Sequence, residues 1–436
     1  MSSPYPRPPF GREPLRLRHL LLVVPLSFTA APAAALDGGV VADSARPIVP
    51  HQDTITVDPH LSLSKVVDLT MEKYPDTHWL EALEEEAAAI TRRSQSWIAG
   101  APQAGLRFQE ATSGTLHYVD ATLQVPLWNI GQRDAELETG TKAGISATLQ
   151  TQATRLRIAG LVRGALWDMS LQKIRYEQSV SEAAIFEQLF EKIKRRVQLG
   201  DLPRADELLA KTEWLQKRAQ LTLAEAELMH ARKRYSSITQ VSTIPGAFVE
   251  KLVALKEIQQ NHPALLAINS QIDRKQAELN ALKLGGSPTH LSVGINSDRG
   301  NNDPRSNSTE SFNIGVNVPF SESVYKQPQL AAINVELNRL MAEREQLYRN
   351  LEQVHHEAEH NLEVNRVELE IANELKTVAE QHLTMTNTAF SVGEINLIDL
   401  LKIQSRTQQA ILNAKERAVM LERDQALYNQ AVGVMP

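Results

Sequence analysis

Val125-Pro126-Leu127 recurs as Val318-Pro319-Phe320, and Leu199-Gly200-Asp201 recurs as Val392-Gly393-Glu394, both at a spacing of 193 residues (318 − 125 and 393 − 200). The same offset pairs Asp206 with Asp399, Leu208 with Leu401 and Tyr235 with Tyr428. A unit repeated over nearly half the chain is an architecture before it is an active site, and it predicts an internally duplicated fold.

Upstream of each Val-Pro the pattern has period two. Leu291, Val293 and Ile295 alternate with Ser292, Gly294 and Asn296; Phe312, Ile314, Val316 and Val318 alternate with Asn313, Gly315 and Asn317. In the first half Val119, Ala121, Leu123 and Val125 alternate with Asp120, Thr122 and Gln124, preceded by a weaker strand around Leu106 and Phe108. One apolar face backed by Asn, Gly, Ser, Gln and Thr fits a barrel wall between lipid and water. A half-buried strand of a soluble sheet has the same period. A loop is expected from Ser297 to Glu310.

Two hairpins give four strands, and open strand edges cannot face lipid, where no water satisfies their backbone groups. Single-chain barrels begin at about eight strands. Either the sheet is soluble or several chains pool their strands, three chains giving twelve.

Around the strands the pattern is helical. It is expected from Leu61 through Glu81–Ala89 to Trp97, and in the second half from Pro263 through Lys275–Leu279. Gly131–Leu199 and Gln329–Val392 contain no proline; a helix of about 65 residues spans ~100 Å, a length suited to crossing a periplasm. After each glycine turn a helix returns. Leu208, Thr212, Leu215, Ala219, Thr222, Ala226 and Met229 have coiled-coil spacing, as do Leu400, Gln404, Thr407, Ile411, Ala414, Ala418 and Leu421.

Composition agrees. Aromatic residues are 5% and charged residues 22%, a balance of long solvated helices rather than of a large globular core. The net charge is −6, or −9 without the +3 of the first 35 residues, which argues against nucleic acid. Arg16, Arg18 and His19, the apolar run Leu20–Phe28 and Ala31-Pro32-Ala33-Ala34-Ala35 read as an export signal, cleaved between Ala33 and Ala35. There is no cysteine, so disulfides, Cys-ligated metals and an N-terminal Cys lipid anchor are excluded. The organisation expected is signal peptide 1–35, extended N-terminal segment 36–60, first structural repeat 61–240, connector 241–260 and second structural repeat 261–436.

The doubled unit, the strand ending in Val-Pro-Leu/Phe, the phrase Leu199-Gly200-Asp201-Leu202-Pro203-Arg204-Ala205-Asp206 with its partner Val392-Gly393-Glu394-Ile395-Asn396-Leu397-Ile398-Asp399, and the closing Tyr428-Asn429-Gln430-Ala431-Val432-Gly433 together resemble the TolC-like outer-membrane efflux proteins. The resemblance covers about Leu61 to Gly433. It implies a mostly α protein with a transmembrane β part: a homotrimer whose twelve-stranded barrel, four strands per chain, continues as a coiled-coil tunnel. Its place would be the outer membrane of a Gram-negative bacterium, with a long periplasmic extension. The partners implied are a periplasmic adaptor, an inner-membrane pump and outer-membrane lipid.

The resemblance also places functional residues. Leu199, Gly200 and Asp201, and Val392, Gly393 and Glu394, would form adaptor-contacting tips. Pro126 and Pro319 would mark strand–helix junctions, and Ser297–Pro304 would be extracellular. Asp206 and Asp399 would line the periplasmic mouth as gate residues, with Lys402 standing where some relatives carry a second acid. A solvated helix face is the plainer account of these carboxylates. His356 and His360, near His355, are one helical turn apart and are weak metal candidates on an exposed helix.

No nucleophile motif, phosphate-binding loop or paired strand-end carboxylates occur, so neither an enzyme nor a cofactor is expected. The function expected is a passive gated conduit exporting small molecules or metal ions, with a secreted protein as alternative cargo. The alternative classes are a periplasmic adaptor, which normally has one hairpin flanked by β halves, and a pore-free coiled-coil scaffold.

Overall fold

The computed structural model describes residues 55–110, 112, 116–300, 308–320 and 323–436. The expected signal peptide, most of the 36–60 segment and residues 301–304 of the second hairpin loop lie outside these residues. Strand β1 (Thr56–Asp58) pairs in parallel with β4 (Thr243–Pro245). Helix α1 (Leu63–Glu72) is capped by Ser62, whose Oγ accepts from the Lys65 amide at 3.2 Å. The single helix expected from Leu61 to Trp97 is in fact two, because Pro75 has no amide to donate and stops α1 short of α2 (Asp76–Ser94).

Strands β2 (Gln103–Glu110), β3 (Leu116–Leu127), β5 (Thr289–Gly300) and β6 (Ser308–Asn317) form one antiparallel sheet in the order β2-β3-β5-β6. The register stacks like with like. Leu106, Ala121, Ile295 and Phe312 stand opposite one another in one row, and Leu123, Val293 and Ile314 in the next. On the other face the rows are Gly105–Thr122–Gly294–Asn313 and Gln103–Gln124–Ser292–Gly315. The glycines make room there: a Cβ on Gly294 would lie 2.6 Å from Asn313 Oδ1, and one on Gly315 2.6 Å from Ser292 Oγ. The second hairpin runs further than expected, since Ser297, Asp298 and Arg299 pair with Glu310, Thr309 and Ser308.

Below the sheet run α3 (Gln132–Gln198), α4 (Arg204–Thr239), α5 (Pro263–Leu284), α6 (Ser323–Ser391) and α7 (Leu397–Ala431). With 67 and 69 residues, α3 and α6 extend ~100 Å each. Helix α6 begins before the expected Gln329 and carries Pro328 inside it. Proline at that point forfeits one bond, to the Val324 carbonyl, early in the helix.

Helix α3 packs on α2 and α5 near the sheet and on α4 and α7 further down, while α6 packs on α5 and then α7. The helices form a wall in the order α2-α3-α5-α6, the order of the strands they join, continued as α4-α3-α7-α6 toward the tips. Small residues bring the axes close: a Cβ on Gly140 of α3 would sit 2.5 Å from Thr91 Oγ1 of α2.

The seam expected on α7 is buried at Leu400, Gln404, Thr407 and Ala414. The seam expected on α4 is exposed in its first half, where Leu208 is 60% and Leu215 47% exposed, and half-buried at Thr222, Ala226 and Met229. The more deeply buried set is Ala210, Lys217, Leu228, Ala231 and Tyr235, with Trp214, Leu221 and Ala224 half-buried between them. Their spacing is again four and three, two residues out of step with the expected set. Helix α4 thus carries two coiled-coil stripes, of which one is packed within the chain along its length and the other is left exposed toward the tip.

Candidate functional site

The two helix tips are built alike. At Gly200 (φ 78°) the Asp201 amide donates to the Arg196 carbonyl and the Gly200 amide to that of Val197. At Gly393 (φ 82°) the Glu394 and Gly393 amides donate to Ala389 and Phe390. Both are Schellman turns, whose left-handed residue favours glycine. The tips are joined by an apolar cluster of Phe186, Phe190, Ile193, Ala210, Leu397, Leu400 and Leu401. Arg196 adds a polar link: its Nε donates to Asp201 Oδ2 at 2.6 Å while its guanidinium lies 5.1 Å from the Phe390 ring centre.

Asp206 and Asp399 both fall in the first turn of a return helix. The Asp399 amide is taken by Asn396 Oδ1 at 2.9 Å, and that of Asp206 by the Pro203 carbonyl. A carboxylate there stabilises the helix end by about 0.3–1 kcal/mol, a local role that leaves its oxygens free. Asp206 is half-buried; Asp399 and Lys402 are exposed and form no ion pair with each other among the described residues. Leu199 and Val392, preceding the glycines, are exposed apolar tips.

The histidines are not all on a solvated surface. His355 is buried, with Nε2 3.3 Å from Tyr428 Oη, whereas His356 and His360 are exposed with ring centres 6.5 Å apart. Among the described residues no cluster of three metal-ligating side chains occurs. Pro126 lies within β3 opposite His290, with its carbonyl accepting from the Ala99 amide at 3.0 Å, and Pro319 lies two residues beyond β6.

No protein-family model matches the sequence, and no curated protein does. Solved structures match its fold. CusC, described for the conformational changes accompanying folding and transmembrane channel formation, matches with a TM-score of 0.69 at 12% identity, over 91% of this chain and 100% of its own. The Campylobacter jejuni CmeC outer-membrane channel matches at 0.65 and 11% identity, over 92% and 94% of the two chains. The Neisseria gonorrhoeae MtrE outer-membrane channel, in its open state, matches at 0.66 and 14%, over 92% and 97%. The fold is that of the TolC-like outer-membrane channels.

Within this TolC-like fold, one set of residues escaped the sequence reading. After β4 the chain runs without helix or strand to α5, and the end of α7 holds it down. Arg163 of α3, its side chain wholly buried, donates through Nε and Nη2 to the two carboxylate oxygens of Glu250 at 2.7 Å each. It also reaches Gln430 Oε1 and the Val434 carbonyl. Asn429 accepts from the Val253 amide and donates to the Lys251 carbonyl, and Tyr428 Oη donates to that of Leu255. The closing phrase Tyr428–Gly433 is therefore a clasp on the connector.

Gly433 (φ 84°) ends α7 against His262, the cap of α5, whose Nδ1 accepts from the Ala264 amide at 3.2 Å. Burial pushes the His262 pKa down, opposed by the Ala431 carbonyl. Burial pushes that of Tyr235, which donates to the Thr243 carbonyl, up to about 12. A lone Arg among Ile158, Val162, Leu166 and Trp167 was the available signal for the clasp.

Proposed function

We propose that three copies of this chain close into an outer-membrane channel that serves as the exit duct of a tripartite export machine. The observation that carries this reading is the sheet: four strands with two free edges and an apolar face. Leu106, Phe108, Ile295, Phe312, Ile314 and Val316 are each more than half exposed on that face, a cost no water-soluble monomer has reason to bear. Closure by further copies pairs β6 of one chain with β2 of the next and removes every edge. From Val119 to Leu127 the outward face of β3 runs ~27 Å along the strand. At a tilt of ~40° this covers ~21 Å of depth, close to the ~25 Å apolar band of such barrels. Among the described residues no helix is long and apolar enough to cross a membrane; the membrane element of this reading is the sheet.

The helices have matching loose edges. On α6, Val364, Val367, Ile371, Leu375, Val378 and Met385 are exposed in a near-heptad stripe, and Leu208, Thr212, Leu215 and Ala219 of α4 are exposed at the opposite edge of the wall. A head-to-tail contact between α6 and the next copy's α4 repeats until the ring closes. The matched order of elements in 61–240 and 261–436 supports an internal duplication joined by 241–260.

The tips at Gly200 and Gly393 are the adaptor-contacting ends, and Asp206 and Asp399 are the gate, three copies of each converging at the periplasmic mouth with Lys402 as counter-charge. Cargo, small molecules or metal ions, is driven by the pump; the duct itself is passive. Mass in detergent and single-channel conductance in a planar bilayer test this. A trimer with discrete conductance, altered by Asp399→Asn, is expected. A monomer that is silent in the bilayer refutes the channel, and a conducting trimer indifferent to Asp399→Asn refutes the gate alone.

A further inference from the structure

Just below the sheet the wall α2-α3-α5-α6 holds a hollow of about 860 Å3, a size within the range of small-molecule sites. All four helices line it, although α2 and α6 stand at opposite edges of the wall. Arg274 of α5 also steps over α3 to reach α2, its Nη2 donating to Glu86 Oε1 at 2.6 Å. Edge helices share a hollow only on the face toward which the wall curves, so the hollow lies on the concave side. In a ring of three such walls that side faces the tunnel.

The lining is charged, and its acids are already engaged. Glu86 accepts from Arg274 and Glu136 of α3 from Arg93. The two oxygens of Glu278 accept from Arg274 Nε at 2.9 Å and Lys275 Nζ at 2.6 Å. With Lys326, whose Nζ donates to the Gly285 carbonyl, bases outnumber acids four to three among the described lining residues. Arg93 has donors to spare: its side chain is 62% exposed, and Nη2 alone meets Glu136. A guanidinium presents five N–H donors in a planar fork that matches an anionic oxygen pair. Tyr325, in the first turn of α6, adds an aromatic ring that is 82% exposed. Arg92 is exposed too but lies outside the lining.

We propose that this hollow is a resting site for aromatic organic anions passing from the tunnel to the barrel, with Arg93 holding the anionic group and Tyr325 the ring. Neutralised acids and unspent N–H donors favour an anion over a cation, and the exposed tyrosine favours a flat apolar body. Binding must be weak enough to release what it holds, as conduction requires, and exposed charges in water meet that condition. The proposal rests on the channel reading, and its test separates the two.

Naphthoate is titrated into the purified full chain in lipid nanodiscs, and saturation-transfer NMR gives its dissociation constant. Millimolar binding is expected, weakened several-fold in both Arg93→Gln and Tyr325→Ala. Arg92→Gln removes the same charge outside the hollow and should leave binding unchanged. Equal binding by the parent, Arg93→Gln and Tyr325→Ala overturns the site, as does an equal loss in Arg92→Gln. Naphthylmethylammonium binding as tightly as naphthoate overturns the preference for anions. The tunnel placement is read separately. Gln329→Cys, an exposed lining residue in a chain with no other cysteine, is modified by a bulky charged thiol reagent during single-channel recording. The current is expected to step down. A conducting channel indifferent to the reagent puts the hollow outside the tunnel and overturns the proposal, whereas a parent that never conducts sinks the channel reading itself.

Discussion

Replacing Arg163 by Met should free the connector. The guanidinium is wholly buried and Glu250 is 14% exposed, so the substitution strands a carboxylate in a site with little water. Breaking one side of such a pair costs about 3–5 kcal/mol, whereas removing both charges together costs far less. The connector carries Lys251 and Lys256, both exposed, but its backbone is pinned by Asn429 and Tyr428. A protease must first pull that backbone loose. Where reclosing is fast, the cleavage rate follows the open population. A loss of about 3–5 kcal/mol then raises trypsin cleavage at Lys251 and Lys256 by roughly two to three and a half decades, until opening itself becomes limiting. Limited trypsinolysis of the detergent-solubilised protein, with fragments identified by mass, measures this. The double variant Arg163→Met with Glu250→Met should be cut much more slowly than the single one. A single variant no faster than the parent, or a double variant as fast as the single, would refute the clasp.

Two further outcomes follow from local geometry. Gly200→Ala meets open space and costs only its left-handed backbone, about 1–2 kcal/mol. Gly433→Ala adds a Cβ that would lie 2.6 Å from His262 Cδ2, so it should lower the melting temperature more than Gly200→Ala; equal shifts would contradict the close approach. His262 is held neutral below its ordinary pKa, so the unfolded chain takes up a proton that the folded one refuses. Its contribution to stability is present above the unfolded value of about 6.5 and is lost as pH falls below it toward the folded value. His262→Asn keeps a capping side chain and should flatten the fall in melting temperature between about pH 7 and 5; an unchanged slope would discount the residue.

Legibility in the sequence tracked how local the cause is. The alternation at Leu291, Val293 and Ile295 and the glycines at 200 and 393 are read directly, because period and left-handed turns are written in neighbouring residues. The break at Pro75 is equally local, yet the expectation from Leu61 to Trp97 ran through it. The seam of α4 is a different matter. Leu208 and Ala210 each start a four-three series, and which series faces the same chain depends on where α3 lies. The pairing of Thr56–Asp58 with Thr243–Pro245 joins segments far apart and three residues long, too short to leave a pattern. Of the candidate site, the first-turn placement of Asp206 and Asp399 was legible from their distance to the glycines. The clasp was not, because Arg163, Glu250 and Gln430 meet only after the chain has folded.

Gly294 and Gly315 let Asn313 and Ser292 lie flat across the sheet. In the proposed ring these two rows would line the bore with uncharged groups, while the row Arg107–Asp120–Asn296–Ser311 on the same face would add charge. Under the proposed function, the two uncharged rows would sort solutes by girth, and chemical selection within the bore would fall to the Arg107–Asp120 row.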